Sequence, residues 1–214
     1  MNKYFPSDYQ AFIHTSRYAK WLDSENRREN WGETVNRYVD NLVLPKITDD
    51  ETVMAVREAI TNLDVMPSMR AMMSSGKAFD RDNTAGYNCS YLPVDDIRSF
   101  DEAMFILLCG TGVGFSVERQ YVNELPIVPM NLINLDETII VADSKEGWAW
   151  SLRTLITSLY NGVVPKWDVT RVRPAGAKLK TFGGRASGPA PLVDLFQFVV
   201  SKFKEASGDR LTSL

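Results

Sequence analysis

From residue 7 to 22, SDYQAFIHTSRYAKWL sets Tyr9, Phe12, Ile13, Tyr18 and Trp21 at mostly helical spacing, and residues 29–43 continue with Trp31, Val35, Tyr38, Val39 and Leu42. Apolar positions three and four apart line one face of a helix. The spacing therefore predicts two amphipathic helices whose aromatic stripes enter a core, joined by the polar turn DSENRR. Asp49 or Asp50 caps a third helix, ETVMAVREAITNL, with Val53, Val56, Ile60 and Leu63 on one face. VMPSMRAMMSSGKAFDRDNTAG has no sustained period and reads as loop with short helical pieces, delivering the chain into a strand that carries Cys89.

Ser99 is then expected to cap the helix FDEAMFILLC, in which Phe100, Ala103, Met104, Leu107 and Leu108 share a face. Asp101 and Glu102 fall in its first turn, where the helix dipole favours carboxylates. Gly110, Gly112 and Gly114 break the helix and FSVER resumes as a strand, so strand, helix and strand follow within a βαβ-sized unit. Residues 120–134 are proline-bearing and irregular. TIIVAD at 138–143 reads as a buried strand, Ser144 caps the long helix KEGWAWSLRTLITSLYNG, and DVTRVRP at 168–174 reads as another strand. A glycine-rich basic loop, AGAKLKTFGGRASGPAP, precedes a last helix opened by Pro191 and carrying Leu192, Leu195, Phe196, Val199, Val200 and Phe203. Helices first, then strands alternating with helices, predict a helical N-terminal region on an α/β core.

Composition changes this picture little. A formal charge of −3 over 214 residues gives no basic surface for nucleic acid, and no apolar run approaches the roughly 20 residues that span a bilayer. The N-terminus has no secretory core, so the expected compartment is cytoplasmic. With one histidine, His14, read as a surface or half-buried residue, a zinc site is nearly excluded and no metal ligand is assigned. Two cysteines in a reducing compartment do not make a structural staple.

The candidate chemistry lies between Thr84 and Arg119. Gly110-Thr-Gly-Val-Gly114 follows a helix and precedes a strand, the reverse of a dinucleotide fingerprint. Its functional reading is therefore close approach of backbone to a ligand, weighed against a simple tight turn. Cys89 has no histidine base within reach of its strand, which disfavours nucleophilic catalysis. Redox chemistry, in which a thiol needs a second thiol rather than a base, fits better. Cys109, beside Leu107 and Leu108, looks buried. The loop 178–188 combines basic side chains with mobile backbone and suits closure over phosphates or a nucleobase.

PSMRAMMSSGKAF, the Cys89 strand, LLCGTGVGFSVERQYVNELP, DSKEGWAWSL and VRPAGAKLKTFGGRASGPAPL occur in this order. Together they closely resemble the N-terminal half of adenosylcobalamin-dependent (class II) ribonucleotide reductases, and SRYAKWL with NWGETVNRYVDNL resembles that family's N-terminal helices. The resemblance implies an α/β fold, with a helical region at 1–65 followed by the first half of a ten-stranded reductase barrel at 66–214. It implies conversion of ribonucleotides to 2′-deoxyribonucleotides by thiyl-radical chemistry with adenosylcobalamin. Cys89 matches the first member of the reductive cysteine pair. Ser68, Asn88, Gly110, Thr111 and Gly112 match substrate-site positions, and Asp96, Gly183, Gly184 and Arg185 match the effector and specificity-loop region.

The family's radical-loop pattern N-x-C-x-E is absent from this sequence. The implied partners are therefore a C-terminal half of the reductase on a separate chain, a ribonucleotide substrate, a deoxynucleotide effector and a thioredoxin-like or dithiol reductant. Alone, the chain is expected to be inactive. The alternative reading is a non-catalytic nucleotide-binding or regulatory module. A glycyl-radical enzyme is disfavoured, because no glycyl-loop motif occurs.

Overall fold

The computed structural model describes residues 4–179 and 184–212 and divides into two compact units, Met1–Asn88 and Cys89–Leu214. The first unit holds α1 (Asp8–Ile13), a hairpin of β1 (Trp21–Leu22) and β2 (Arg27–Arg28), α2 (Trp31–Tyr38), α3 (Asp50–Thr61) and α4 (Met69–Ser74). Asn30 and Glu33 close a capping box at the start of α2, each side chain accepting the other's backbone N–H, at 2.9 and 2.7 Å. Asp49 caps α3. Trp31, Val35, Val39, Val53, Ile60 and Met72 form the core, and the indole N–H of Trp31 donates to Thr61 O at 3.0 Å.

The helix expected over 7–22 stops much earlier. After Ile13 the backbone widens into a π turn, His14–Tyr18, and Trp21–Leu22 turns back in antiparallel register with Arg27–Arg28. Glu29 draws this segment inward: Lys20 N–H donates to its carboxylate at 3.0 Å, and its own N–H donates to Lys20 O at 2.8 Å. Tyr9, Phe12 and Trp21, expected in a core, are exposed.

His14, expected at or near the surface, is buried instead, at 4% exposure. Its Nε2 lies 2.9 Å from Thr34 Oγ1, which donates to Glu29 at 3.1 Å, and its ring stacks on Phe5 and meets Trp31 edge-on. Burial, the largest effect, pushes the imidazole below its ordinary 6.5, with Glu29 opposing and Arg37 assisting. A histidine that resists protonation in the folded state still binds a proton in the unfolded chain at 6.5, so stability falls as pH drops below that value. Urea midpoints from about pH 7 to about pH 5 are expected to decline in the wild type and to decline less in H14Q.

The second unit is built from two strand–helix–strand crossovers. In the first, β3 (Cys89–Pro93), α5 (Ser99–Leu108) and β4 (Gly112–Ser116) place β3 and β4 parallel, as the βαβ spacing predicts. After the short α6 (Arg119–Val122), β5 (Ile133–Ile140), α7 (Lys145–Tyr160) and β6 (Val163–Asp168) repeat the arrangement. Lys178 and Arg185 then meet in an antiparallel bridge, and α8 (Ala190–Glu205) follows. Ile139, Val141, Leu155, Ile156, Leu159, Leu192, Phe196 and Phe203 form the core here, with Trp167 packed edge-on against Phe196. Among the described residues the strands form three separate two-stranded sheets.

Local chemistry moves several boundaries. Gly112 and Gly114 belong to β4 rather than to the break before it. The strand expected at 168–174 lies at Val163–Asp168, because the Asp168 side chain accepts the Thr170 N–H at 2.8 Å and turns the chain out of the sheet. Ser99 does not cap α5. The Asp96 carboxylate accepts the Arg98 N–H at 2.7 Å and its carbonyl accepts the Ser99 N–H, so Asp96 shapes the entry turn.

Ser144 caps α7 by accepting the Gly147 N–H at 2.9 Å. A Cβ at Gly147 would fall 2.6 Å from Ala142 O and 2.7 Å from Ala142 Cβ. Alanine ordinarily favours a helix over glycine by about 1 kcal/mol, but here it collides with backbone. G147A is expected to destabilise the protein by about 1–3 kcal/mol, read as a lowered urea midpoint.

Candidate active site

The polarity of β3 and β4 decides which residues meet. In a parallel pair, residues in register share a face, and alternate residues along one strand do so too. Cys89 is opposite Gly112, and Tyr91 is opposite Gly114. One face thus carries a thiol and a phenol on β3 and bare backbone on β4. Cys89 and Tyr91 are exposed, and so are both glycines.

The turn that brings Gly112 beside Cys89 is a helix cap. Gly110, at φ +82°, donates its N–H to Leu107 O at 2.8 Å, and Thr111 donates to Ile106 O at 3.2 Å. These paired bonds form a Schellman motif, which needs a left-handed residue at the position Gly110 occupies. Gly110 therefore has a structural reason to be glycine. Thr111 is buried at 1% exposure, and Ser90 Oγ donates to Gly112 O at 3.1 Å, tying the strands together beside the thiol.

Cys109 is buried as expected, although Leu107 and Leu108 beside it are exposed; it caps the end of α5, and Lys145 Nζ at the start of α7 donates to its sulfur at 3.0 Å. Asp101, 3% exposed, accepts both Nε and an NH2 of Arg153 at 3.0 and 2.6 Å, fastening α5 to α7. These contacts hold α5 against α7. Both cysteines are free thiols.

Tyr91 is a site residue that the sequence reading missed. Its hydroxyl is hydrogen-bonded to Tyr121 and Ser116; the Tyr121 contact and burial raise it above its ordinary value, with Ser116 opposing. Ser116 Oγ in turn accepts the Glu118 N–H at 3.4 Å. The i, i+2 spacing of Cys89 and Tyr91 in a strand was the available signal.

The other expected site residues take separate positions. In the first unit Ser68 is the exposed N-cap of α4, its Oγ accepting the Ala71 N–H at 3.5 Å, and Asn88 is exposed at the unit's end. In the second unit Gly184 and Arg185 lie opposite Leu179 and Lys178. Leu179 N–H donates to Gly184 O at 3.0 Å, and Arg185 donates to Gly176 O at 3.1 Å. Gly183 lies outside the described residues. Among the described residues no cluster of His, Cys, Asp and Glu could hold a metal ion, and no helix is long and apolar enough to cross a membrane.

Residues 131–202, from the start of β5 into α8, match the family model of the B12-dependent ribonucleotide reductase insertion domain. Over 92% of its length the chain is 26% identical to the adenosylcobalamin-dependent ribonucleoside-triphosphate reductase of Lactobacillus gasseri and 28% identical to that of Lactobacillus helveticus. It covers 36% of each, so it spans about a third of the length of the curated relatives it matches. A crystal structure of a B12-dependent (class II) ribonucleotide reductase superposes with a TM-score of 0.78 over 94% of this chain and 38% of that one, at 24% identity, which establishes a shared fold. The family model over 131–202, the curated relatives and the shared fold thus agree with the resemblance to adenosylcobalamin-dependent (class II) ribonucleotide reductases carried by the motifs.

Proposed function

We propose that this chain supplies the substrate-facing part of a ribonucleotide reductase, with Cys89 as one of the two thiols that reduce the ribose. The carrying observation is the register of Cys89 with Gly112: an exposed thiol beside exposed backbone without a side chain, where a sugar can lie close to sulfur. In the overall reaction two thiols become a disulfide, the ribose 2′ carbon exchanges its hydroxyl for hydrogen, and the oxygen leaves as water. Cys89 gives up one thiol hydrogen and forms one half of the S–S bond. A second cysteine supplied by a separate C-terminal chain is the other half.

In this reading Gly110, Thr111 and Gly112 present backbone to the nucleotide, and Ser68 and Asn88 also line its site. Asp96, Gly183, Gly184 and Arg185 belong to the effector and specificity region. The helical region is 1–65 and the reductase half-barrel is 66–214. Adenosylcobalamin, which the relatives' names specify, supplies the initiating radical. The one histidine is buried against Thr34, and no described cluster suits a metal, so no residue here is assigned to the cobalamin and no step of this chain passes through it. An apolar groove of about 1020 Å³ between α5 and α8, lined by Phe100, Met104, Leu107, Phe198, Phe203 and Leu211, supports association with the missing part of the enzyme.

The test is reconstitution. The chain is mixed with a polypeptide carrying the remaining two thirds of the reductase, adenosylcobalamin, a dithiol and ribonucleoside di- or triphosphates. Deoxynucleotide is expected only when both polypeptides are present. No deoxynucleotide from any substrate, or the same amount without this chain, would overturn the reading.

A further inference from the structure

The two thiols of this chain differ in their company. Cys89 lies open on β3, whereas Cys109 is 2% exposed and has Lys145 Nζ 3.0 Å from its sulfur. The same ammonium sits 4.7 Å over the Phe105 ring. Lys145 opens α7 directly after its cap Ser144, in a first turn where the helix dipole favours carboxylates and gives no reason for a cation. The reduction assigned to Cys89 makes no use of this second pair.

We propose that Cys109 and Lys145 are an oxidation-sensitive pair, which hydrogen peroxide joins into a sulfur–nitrogen (sulfenamide) bond between α5 and α7. In the first step the sulfur attacks one peroxide oxygen, the O–O bond breaks, and sulfur is oxidised by two electrons as the peroxide is reduced. Cys109 becomes a sulfenic acid. The other oxygen departs as water, taking the proton that Lys145 directs at the sulfur, and lysine is left as a neutral amine. Its lone pair then forms the N–S bond, the S–O bond breaks, and hydroxide leaves as water with one amine proton. Overall one peroxide becomes two waters and the protein loses two hydrogen atoms.

An ammonium in contact with sulfur favours the thiolate, which is the form that attacks peroxide. Sulfenic acids condense with thiols and with nitrogen, and a nitrogen already in contact reacts without the entropy cost of a meeting. Burial keeps a second protein thiol away from Cys109, so the capture falls to the neighbour in place. The new bond joins residues 36 apart and fixes the end of α5. From that end Gly110 and Thr111 turn the chain to Gly112, opposite Cys89, so oxidation locks this turn.

The experiment uses C89S, which retains one thiol and cannot form an internal disulfide. The folded chain is treated with hydrogen peroxide, unfolded in the presence of an alkylating agent, and its mass measured. An unalkylated species lighter by two hydrogen atoms is expected, and dithiothreitol is expected to reverse it. Trypsin cuts the reduced chain after Arg98, Arg119, Lys145 and Arg153. In the oxidised chain 99–119 is expected to remain joined to 120–153, with the bond after Lys145 uncut. The urea midpoint is expected to rise on oxidation, because the cross-link restricts the unfolded chain.

In C89S/K145Q the sulfenic acid has no amine to meet and is expected to advance to the sulfinic acid, two oxygen atoms heavier. Loss of two hydrogens in that variant would put the bond on a backbone nitrogen and overturn the pair. A folded C89S chain whose Cys109 stays a free thiol, or itself passes to the sulfinic acid, overturns it equally. Should K145Q prevent folding, the peptide map of C89S decides alone. None of these outcomes depends on the role of Cys89, which the variant removes.

Discussion

Replacing Cys89 with serine is expected to reduce multiple-turnover deoxynucleotide formation by at least about a thousandfold in the reconstituted enzyme, because the reaction needs two electrons from a thiol pair. Serine preserves size and a hydrogen-bonding group but cannot form a disulfide. Cys89 is exposed at the beginning of β3, so the substitution leaves no cavity and the urea midpoint should hold. C109S separates the two thiols. Cys109 is buried against Lys145, and its replacement is expected to lower stability while leaving dithiol-dependent turnover in place. Turnover in C89S comparable to wild type would remove Cys89 from the reaction and favour a nucleotide-binding role for this face.

The largest stability effect is expected in the first unit, at Arg37. Its side chain is 12% exposed and that of Glu29 is 6% exposed, and they pair through two bonds of 2.7 and 2.8 Å. Arg37 also donates to Met72 O at 2.6 Å, to Ser75 O at 3.2 Å and to Tyr18 O at 3.1 Å. One guanidinium therefore fastens α2 to the end of α4 and to the π turn. R37M leaves a buried carboxylate without its cationic partner and takes a donor from three carbonyls, of which Met72 O keeps Ser75 Oγ and Ser75 O keeps Lys20 Nζ; it is expected to cost about 3–5 kcal/mol by urea denaturation. E29Q/R37M should recover part of that loss, since no charge is left unpaired.

Burial works against the Glu29 carboxylate, but its bonds to Arg37, Lys20 and Thr34 prevail and hold it below its ordinary 4.5. Its contribution is thus present above pH 4.5 and is lost as pH falls through the lower folded value. R37M should lose most of this acid sensitivity. If R37M matches the wild-type midpoint at neutral pH, the pair is not what holds α4 to α2.

Where the sequence carries period and caps, the fold was legible. α3, α7 and α8 appear where apolar spacing places them, with Asp49 and Ser144 as caps. β6 was misplaced because Pro165 and Lys166 interrupt its apolar run, and a strand with a single pairing partner tolerates the proline. The first helix was overextended because aromatic residues at helical spacing looked like a core stripe, while the burial of Glu29, which turns the chain back, depends on Arg37 eight residues later.

The candidate residues could be named from the sequence, but their pairing could not. Cys89 stands out because there is so little else for a redox thiol to be, and the family motifs point to Gly110, Thr111 and Gly112. Register between β3 and β4 could not be read, since G-V-G offers no alternation of apolar and polar side chains to fix it. Tyr91 and Gly114 come into view only once that register is known.

The two parallel pairings also bear on how the chain acquires its structure. Parallel strands need a long connection, yet Cys89 and Gly112 are only 23 residues apart and Ile133 and Val163 only 30. Closing loops of this length costs little more entropy than closing a hairpin, because the cost rises only with the logarithm of length. Each strand–helix–strand segment can therefore form from its own residues during synthesis, as soon as its second strand has emerged. The surface beside Cys89 would then be in place early, before β5 and β6 have paired.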